Sequence, residues 1–293
     1  QVEWKTDGRY CTPVTKKGAP IYGKKEKESP DEKDKYIVVS NRDKLVYAQN
    51  MFFPRVWSEA HAHFGPRQEN LYDQWVPGGI KGRKVKYDRC GEMQTLTIPT
   101  MGENLAFFFN YQVNFMYWRY FMWNFVGRQN DLCSYGEIEH GNWITGFNFI
   151  DKHLVGDQTL LPSELKENKG HNVFYGLPLI FGLIGLFWQA ARGRKGVQQF
   201  WVVFFLFFMT GLAIVLYLNQ TPQQPRERDY AYAGSFYAFT IWIGLAVAAV
   251  AEWLKKVFKG KELVPAFIAT VVCLLVPIQM ASQTWDDHDR SDR

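Results

Sequence analysis

FWVVFFLFFMTGLAIVLYL, residues 200–218, carries no charged side chain. At 1.5 Å per residue a helix of this length spans about 30 Å, the thickness of a bilayer's hydrocarbon core. Thirteen of its residues are Phe, Val, Leu or Ile. At roughly −0.3 to −0.6 kcal/mol each they favour insertion by about 4–8 kcal/mol. A surface helix of a soluble protein needs only one apolar stripe, whereas this stretch is apolar all round. It reads as a membrane span.

Three further stretches repeat the pattern at 173–191, 233–251 and 263–280. The chain is therefore expected to be mainly α: a polytopic membrane helical bundle with four spans, carrying an irregular β-containing extracytoplasmic region. Its mean hydropathy of −0.26 hides this, because the charged first half and the apolar second half average out. The 11 Trp, 15 Tyr and 23 Phe suit a protein with much interfacial surface, where amphipathic rings settle. Four segments follow: an extracytoplasmic β-containing region at 1–103, an aromatic interfacial helix and loop at 104–171, the four spans within 172–280, and the start of a truncated extracytoplasmic C-terminal domain at 281–293. The chain begins at Gln1 and ends at Arg293 within a charged run, and is expected to be an internal piece of a longer protein.

Short loops set the orientation. Arg192, Arg194 and Lys195 lie between the first two spans; Lys255, Lys256, Lys259 and Lys261 lie between the last two. The positive-inside rule places both loops in the cytoplasm. The long N-terminal region, the 219–232 loop and the C-terminal end are then periplasmic, in an inner membrane. Gly176, Gly182 and Gly185 in the first span, and Gly244 with several Ala in the third, suit close helix contact. A net charge of +5 is modest and its cations lie among acids, so no nucleic-acid partner is inferred.

In the outer region, 36–40 (YIVVS) and 45–48 (LVYA) flank Asn41-Arg-Asp-Lys44 and read as a hairpin. Residues 83–88 and 94–98 form a second candidate pair across Cys90-Gly91, and the charge-rich 24–35 reads as a solvated loop. Cys11, Cys90 and Cys133 can supply one disulfide, with nothing to select the pair; Cys273 lies in an apolar span as a small hydrophobe. Glu59, His61 and His63 are metal-ligand types, but two His without a third and fourth partner do not make a zinc site. Asp286, Asp287, His288 and Asp289 are adjacent in sequence, diverge in space and read as a solvated exit. No metal or cofactor is expected.

MGENLAFFFNYQVNFMYWRYFMWNFV, residues 101–126, is as aromatic as a span yet holds Asn110, Gln112, Asn114, Arg119 and Asn124. An Arg at mid-bilayer costs about 2.5–3.5 kcal/mol, so a helix at the outer surface or packed beside the bundle is expected. On an α-helix Asn110, Asn114, Tyr117, Phe121 and Asn124 share one face, with Gln112 and Arg119 opposite. That face suits either a docking helix or the wall of a groove for an amphiphilic ligand.

LNQTPQQPRERDYAYAGSF at 218–236, GENL at 102–105, YWRYFMWNFVGRQND at 117–131 and WDDHDRS at 285–291 together resemble the large bacterial multi-spanning membrane family, also found in animals, that is related to protein O-mannosyltransferases. The resemblance implies the multi-spanning glycosyltransferase class, with an outer active site and a catalytic acid in an earlier outer loop that would lie upstream of Gln1. It implies transfer of a sugar, mannose being the natural candidate, from a polyprenyl-phosphate donor to an exported acceptor protein. Arg226 and Arg228 offer always-charged planar forks for the donor phosphate, with Glu227, Asp229 and Tyr230 in support and Pro222 and Pro225 stiffening the loop. The same residues also suit a local Arg–acid network that only shapes the loop. Arg119, Arg128, Asn130 and Asp131 form a second candidate cluster, equally suited to sugar hydroxyls or to capping and docking. Asn219-Gln-Thr221 is a glycosylation sequon beside the membrane. A non-catalytic envelope scaffold is the competing function. A transporter has no support, since no span carries an internal charge.

Overall fold

A computed structural model describes residues 2–7, 10–27, 29, 31–47, 50–56, 69–222, 228–258 and 263–288. The chain divides into two compact units, Gln1–Ala106 and Phe107–Arg293.

In the first unit, β1 (Trp4–Asp7) pairs with β2 (Tyr10–Pro13), β3 (Thr15–Lys24) with β4 (Tyr36–Leu45), and, after the short helix α1 (Glu69–Asp73), β5 (Arg83–Arg89) with β6 (Glu92–Ile98). All three pairs are antiparallel. The hairpin expected within 36–48 is not formed. Tyr36–Leu45 is one strand whose partner is Thr15–Lys24, with Thr15 opposite Leu45 and Lys24 opposite Tyr36. Asn41-Arg-Asp-Lys offers no glycine for a tight turn, whereas the partner strand is adapted to it. A Cβ on Gly18 would sit 2.7 Å from the Arg42 carbonyl oxygen, Asn41 Nδ2 donates to the Gly18 carbonyl at 3.2 Å, and Pro20 falls where the register shifts. The charged 24–35 stretch is the connecting loop, tied by Lys24–Asp34 and Lys27–Asp34 ion pairs at 2.8 and 3.0 Å.

The second expected hairpin forms, and across Cys90-Gly91: both residues have positive φ, 53° and 95°, the signature of a two-residue turn matched to strand twist. Cys90 is bonded to Cys11, which settles the pairing that the sequence left open. The bond joins the first hairpin to the third across a sequence separation of 79. In a chain-entropy account a loop of that size is worth about 4–5 kcal/mol. Arg89 stacks 4.5 Å above the Trp4 ring beside it.

The unit closes on α2 (Met101–Phe107), where the GEN triplet has a structural job. Thr100 and Glu103 make a capping box: Glu103 Oε2 accepts from the Thr100 amide at 2.6 Å while the Glu103 amide donates to Thr100 Oγ1 at 3.3 Å. The other carboxylate oxygen accepts from the Lys81 and Gly82 amides at 2.7 and 2.9 Å, clamping the start of β5. Asn104, buried, accepts from the Arg55 and Val56 amides.

The second unit opens with a π-helix, Phe108–Trp118, followed by α3 (Arg119–Phe125). A short pair, β7 (Gly127–Arg128) with β8 (Asn172–Val173), brackets a loop region carrying α4 (Asn148–Val155) and α5 (Ser163–Lys166). Then come α6 (Leu177–Ala190), α7 (Gly193–Thr210), α8 (Leu212–Leu218), a 3-10 turn at Asp229–Tyr232, α9 (Ala233–Val257) and α10 (Leu263–His288).

Among the described residues three helical stretches are long and apolar enough to cross a membrane: Gly193–Leu218, Asp229–Val257 and Leu263–Trp285. They mark an integral membrane protein. The stretch expected as a first span is a shorter apolar helix of 14 residues. Val173, where that span was expected to begin, is instead strand-paired with Gly127, and Gly176 at φ 66° makes the turn into the helix. Arg194 and Lys195 lie inside the first turns of α7 rather than in a loop, as good helix formers with long aliphatic stems can.

The tightest helix contact joins α6 and α9. A Cβ on Gly185 would overlap the Trp242 carbonyl oxygen, and one on Gly182 would enter the Phe239 ring. Trp242 Nε1 donates to Gln189 Oε1 at 2.9 Å beside them, fully buried. Gly176 and Gly244, grouped with these from sequence, do not share the role: Gly176 caps the helix, and a Cβ on Gly244 meets nothing within 4 Å. On α10, Ala269, Cys273 and Val276 form the buried stripe, with Cys273 a free, buried thiol.

Replacing Gly185 by leucine forces the two backbones apart, and the detergent-solubilised protein is expected to lose about 1–3 kcal/mol or more of stability in thermal unfolding; a melt matching wild type would refute the close approach. The Glu103 clamp is read by pH. Burial pushes the Glu103 carboxyl up, but the Gly82, Thr100 and Lys81 hydrogen bonds outweigh it and hold it below its ordinary 4.5. A depressed carboxyl stabilises above its unfolded pKa, and that stability disappears as pH falls through the folded value. The advantage of wild type over Glu103→Gln in urea unfolding should therefore be full at neutral pH and decline as pH falls below 4.5 through the depressed folded value; parallel pH profiles would exclude the clamp.

Candidate functional site

The site is built where the π-helix meets the segment after α8. A π-helix turns every 4.4 residues or so, through i→i+5 hydrogen bonds, and such turns collect at functional sites; here the Arg119 amide donates to the Asn114 carbonyl. The altered period changes which side chains face inward. Tyr111, Gln112, Met116 and Tyr117 are buried, whereas Asn110 and Asn114, placed on one face with Tyr117 and Phe121 by α-helical spacing, are exposed. Tyr117 and Phe121 pack into the bundle: Phe121 and Phe125 lie 4.9 and 4.6 Å from the Phe239 ring. The 101–126 segment is thus packed beside the bundle in its second part, rather than lying free on a surface.

From this buried face three side chains reach the 218–236 stretch. Gln112 Nε2 donates to Asn219 Oδ1 at 3.0 Å and to the Gln220 carbonyl at 2.8 Å. The Tyr111 hydroxyl donates to the Thr221 carbonyl at 3.0 Å. The Tyr117 hydroxyl donates to Ser235 Oγ at 3.2 Å, and Ser235 Oγ donates to the Tyr232 carbonyl at 2.7 Å. Tyr232 closes the seam, its hydroxyl donating to Gln220 Oε1 at 2.9 Å. Asn219 takes a left-handed φ of 44° at the end of α8, and its side chain is engaged with Gln112, so the sequon asparagine is part of this seam. Gln112 Oε1 and Gln220 Nε2, an acceptor and a donor on buried residues, find no hydrogen-bond partner among the described residues.

Gly211 sits behind the seam, between α7 and α8. A Cβ there would come within 2.6 Å of the Tyr117 hydroxyl and 2.9 Å of Ser235 Cβ. The same small residue thus sits at the helix break and leaves room for the Tyr117 hydroxyl of the π-helix.

The residues expected from sequence fall in three places. Arg228, Asp229 and Tyr230 are exposed, immediately before α9. Arg226 and Glu227 lie outside the described residues, as do Glu59, His61, His63 and Asp289. The backbone of Asp286, Asp287 and His288 continues α10.

The second cluster is brought together in part. Arg119, buried, donates from Nε to the Phe115 carbonyl at 3.1 Å and from Nη1 to the Gly141 carbonyl at 3.0 Å, its guanidinium stacked 3.9 Å above the Phe115 ring. Asn130 accepts from the Gly141 amide at 2.7 Å and donates to the Glu139 carbonyl at 2.8 Å. Gly141 at φ 58° thus links Arg119 and Asn130. Arg128 donates to the Gly170 carbonyl at 2.8 Å, and Asp131, exposed, accepts from Asn168 at 3.0 Å. These contacts pin the 129–142 loop to α3 and the 168–172 loop to β7 and Asp131.

Sequence reasoning passed over Tyr111, Gln220, Tyr232 and Ser235, and set Gln112 on the wrong face. The available signal was two amide side chains in strongly apolar surroundings, at 112 and 220, each of which needs a partner once buried. Among the described residues no group of three or more His, Cys, Asp or Glu is arranged to hold a metal ion.

Residues 3–109 match a family of unknown function (DUF8416), a stretch that covers the first unit. No curated protein and no solved structure matches the chain.

Gln112→Leu would strand Asn219 Oδ1 and the Gln220 carbonyl in a buried seam. It should destabilise the protein by about 1–3 kcal/mol and raise hydrogen exchange at residues 219–222. Unchanged exchange there would show that the amide does not hold the segment.

Proposed function

We propose that this chain belongs to a membrane glycosyltransferase-like protein that transfers a sugar, mannose being the first candidate, from a polyprenyl-phosphate donor to exported proteins. The observation that carries the proposal is the exposed Arg228 at the head of α9, next to a segment whose preceding residues 219–221 are fixed by the buried amide seam. A guanidinium at the end of an apolar bundle meets a lipid-linked phosphate at the depth where its headgroup lies. In this reading Arg226 and Arg228 hold the phosphate, Glu227 and Asp229 orient them, and Tyr230 lies beside the lipid chain. Gln112 Oε1 and Gln220 Nε2, which have no hydrogen-bond partner among the described residues, supply a second polar contact for a hydroxyl-bearing ligand.

The proposal treats α6 as a fourth span beside the three longer ones. It places the first unit and the 219–232 loop on the periplasmic side. Two independent features favour that orientation: Arg192, Arg194, Lys195, Lys255 and Lys256 gather at the opposite helix ends, and the Cys11–Cys90 disulfide suits an oxidising compartment.

The scaffold reading keeps one observation in its favour. Arg119, Arg128 and Asn130 spend hydrogen bonds on loop carbonyls, as a docking platform requires. Binding of a polyprenyl phosphate in detergent separates the two. Arg226→Ala and Arg228→Ala should each weaken it about tenfold or more, since a charge-assisted contact is worth roughly 1.5–3 kcal/mol. Wild-type affinity in both variants would favour the scaffold.

A further inference from the structure

Helix α6 is 14 residues long, about 21 Å at 1.5 Å per residue, against roughly 30 Å of hydrocarbon. If α6 spans, something must fill the leaflet around its N-terminal end. The chain holds an apolar surface at that level. Gly146 packs so closely on Val173 that a Cβ would overlap its side chain, and that Cβ would lie 3.0 Å from the Tyr175 ring. The Phe147 ring lies 5.4 Å from Tyr175, two residues before α6 begins. Gln279 and Gln283 of α10 bind the backbone of Val173 at 2.9 and 3.1 Å, so this is also the end of the bundle where α10 emerges.

Helix α4 is fixed here by one buried carboxylate. Asp151 accepts from the Thr145 amide and hydroxyl at 2.7 and 2.8 Å and from the Gly146 amide at 2.8 Å. Asp151 and Val155 face the protein. Ile150 and Leu154 lie along the next stripe and are 36% and 44% exposed; Phe149 is 72% exposed, and Phe147 and Tyr175 are 42% and 44% exposed. Lys152 and His153 are exposed between these apolar positions, where a cation can reach headgroups.

We propose that α4 is an interfacial helix whose apolar stripe, Phe147, Ile150 and Leu154 with Tyr175, sits in the bilayer leaflet at the N-terminal end of α6 and completes the hydrocarbon belt that this helix is too short to fill. The occupant of the surface is lipid because the Phe147–Tyr175 contact carries it to the segment that leads into α6, where Val173 is bound by Gln279 and Gln283 of the apolar helix α10. A soluble partner would have to dock at the level where the lipid already lies. The inference rests on the reading of α6 as a span.

The test uses the whole chain in phosphatidylcholine vesicles, on a Cys133→Ser background that removes the exposed free thiol. Nitroxide labels go at Ile150→Cys and Leu154→Cys, with Phe205→Cys on α7 as a lipid reference and Lys152→Cys as a water reference. Collision rates with oxygen and with a water-soluble nickel chelate are compared. Labels at 150 and 154 should favour oxygen several-fold, as at 205, while 152 favours nickel. If 150 and 154 follow 152 while 205 stays in lipid, the interfacial placement is wrong and the span survives. Shielding of 150 and 154 from both reagents means protein covers them, which also overturns the proposal. Nickel access at 205 removes the membrane reading and this inference with it.

Discussion

The contact between α6 and α9 governs the membrane half of the molecule. Between helices in lipid there is little hydrophobic drive, so association depends on close van der Waals approach and on polar groups that have no other partner. Gly182 and Gly185 allow the approach, and Gln189 with Trp242 supplies the hydrogen bond. Trp242 then acts as the centre of an aromatic core, with Phe239 at 6.0 Å and Phe207 of α7 at 5.8 Å. Phe121 and Phe125 of α3 enter from the other side. The seam that carries the candidate site lies about two turns nearer the start of α9, at Ser235, and in the turn before it at Tyr232, and inherits its position from this packing.

Two departures from regular helix make the seam possible. The π-helix turns Gln112 inward, and the break at Gly211 lets Tyr117 approach Ser235. Buried amides and phenols are costly unless satisfied, and a network of them is worth more in a low-dielectric setting than its bonds taken singly. Here the network fixes backbone carbonyls of 220 and 221 as well as side chains. The arginine segment is thereby joined to a rigid base at one end and to the first turn of α9 at the other.

Much of this was legible from the residues. Charge-free runs mark the long helices because a bilayer rejects the alternatives, and the positive φ that Cys90-Gly91 must adopt is suited to the hairpin at 83–98. The failures have physical causes. YIVVSNRDKL alternates like two strands around a turn, but its partner lies upstream in TKKGAPIYGK, a stretch with no apolar alternation to announce itself. The inward face of 108–118 was misjudged because a π-turn cannot be read from a 3.6-residue period. Val173 looked like the start of a span because its apolar neighbours do not reveal a two-residue strand pair with Gly127. For the site, 218–236 stood out as a motif, whereas its supporting partners at 111, 112 and 117 lie over a hundred residues away and carry no local mark.

The bond between Cys11 and Cys90 orders events in time as well as in space. The first hairpin contains one cysteine and the third the other, with the whole β3–β4 ribbon between them. During synthesis the first hairpin is complete some eighty residues before Cys90, its thiol partner, has been added. Cys133 arrives only later, on an exposed loop of the second unit, so the order in which thiols appear favours the native pair before the competing one exists.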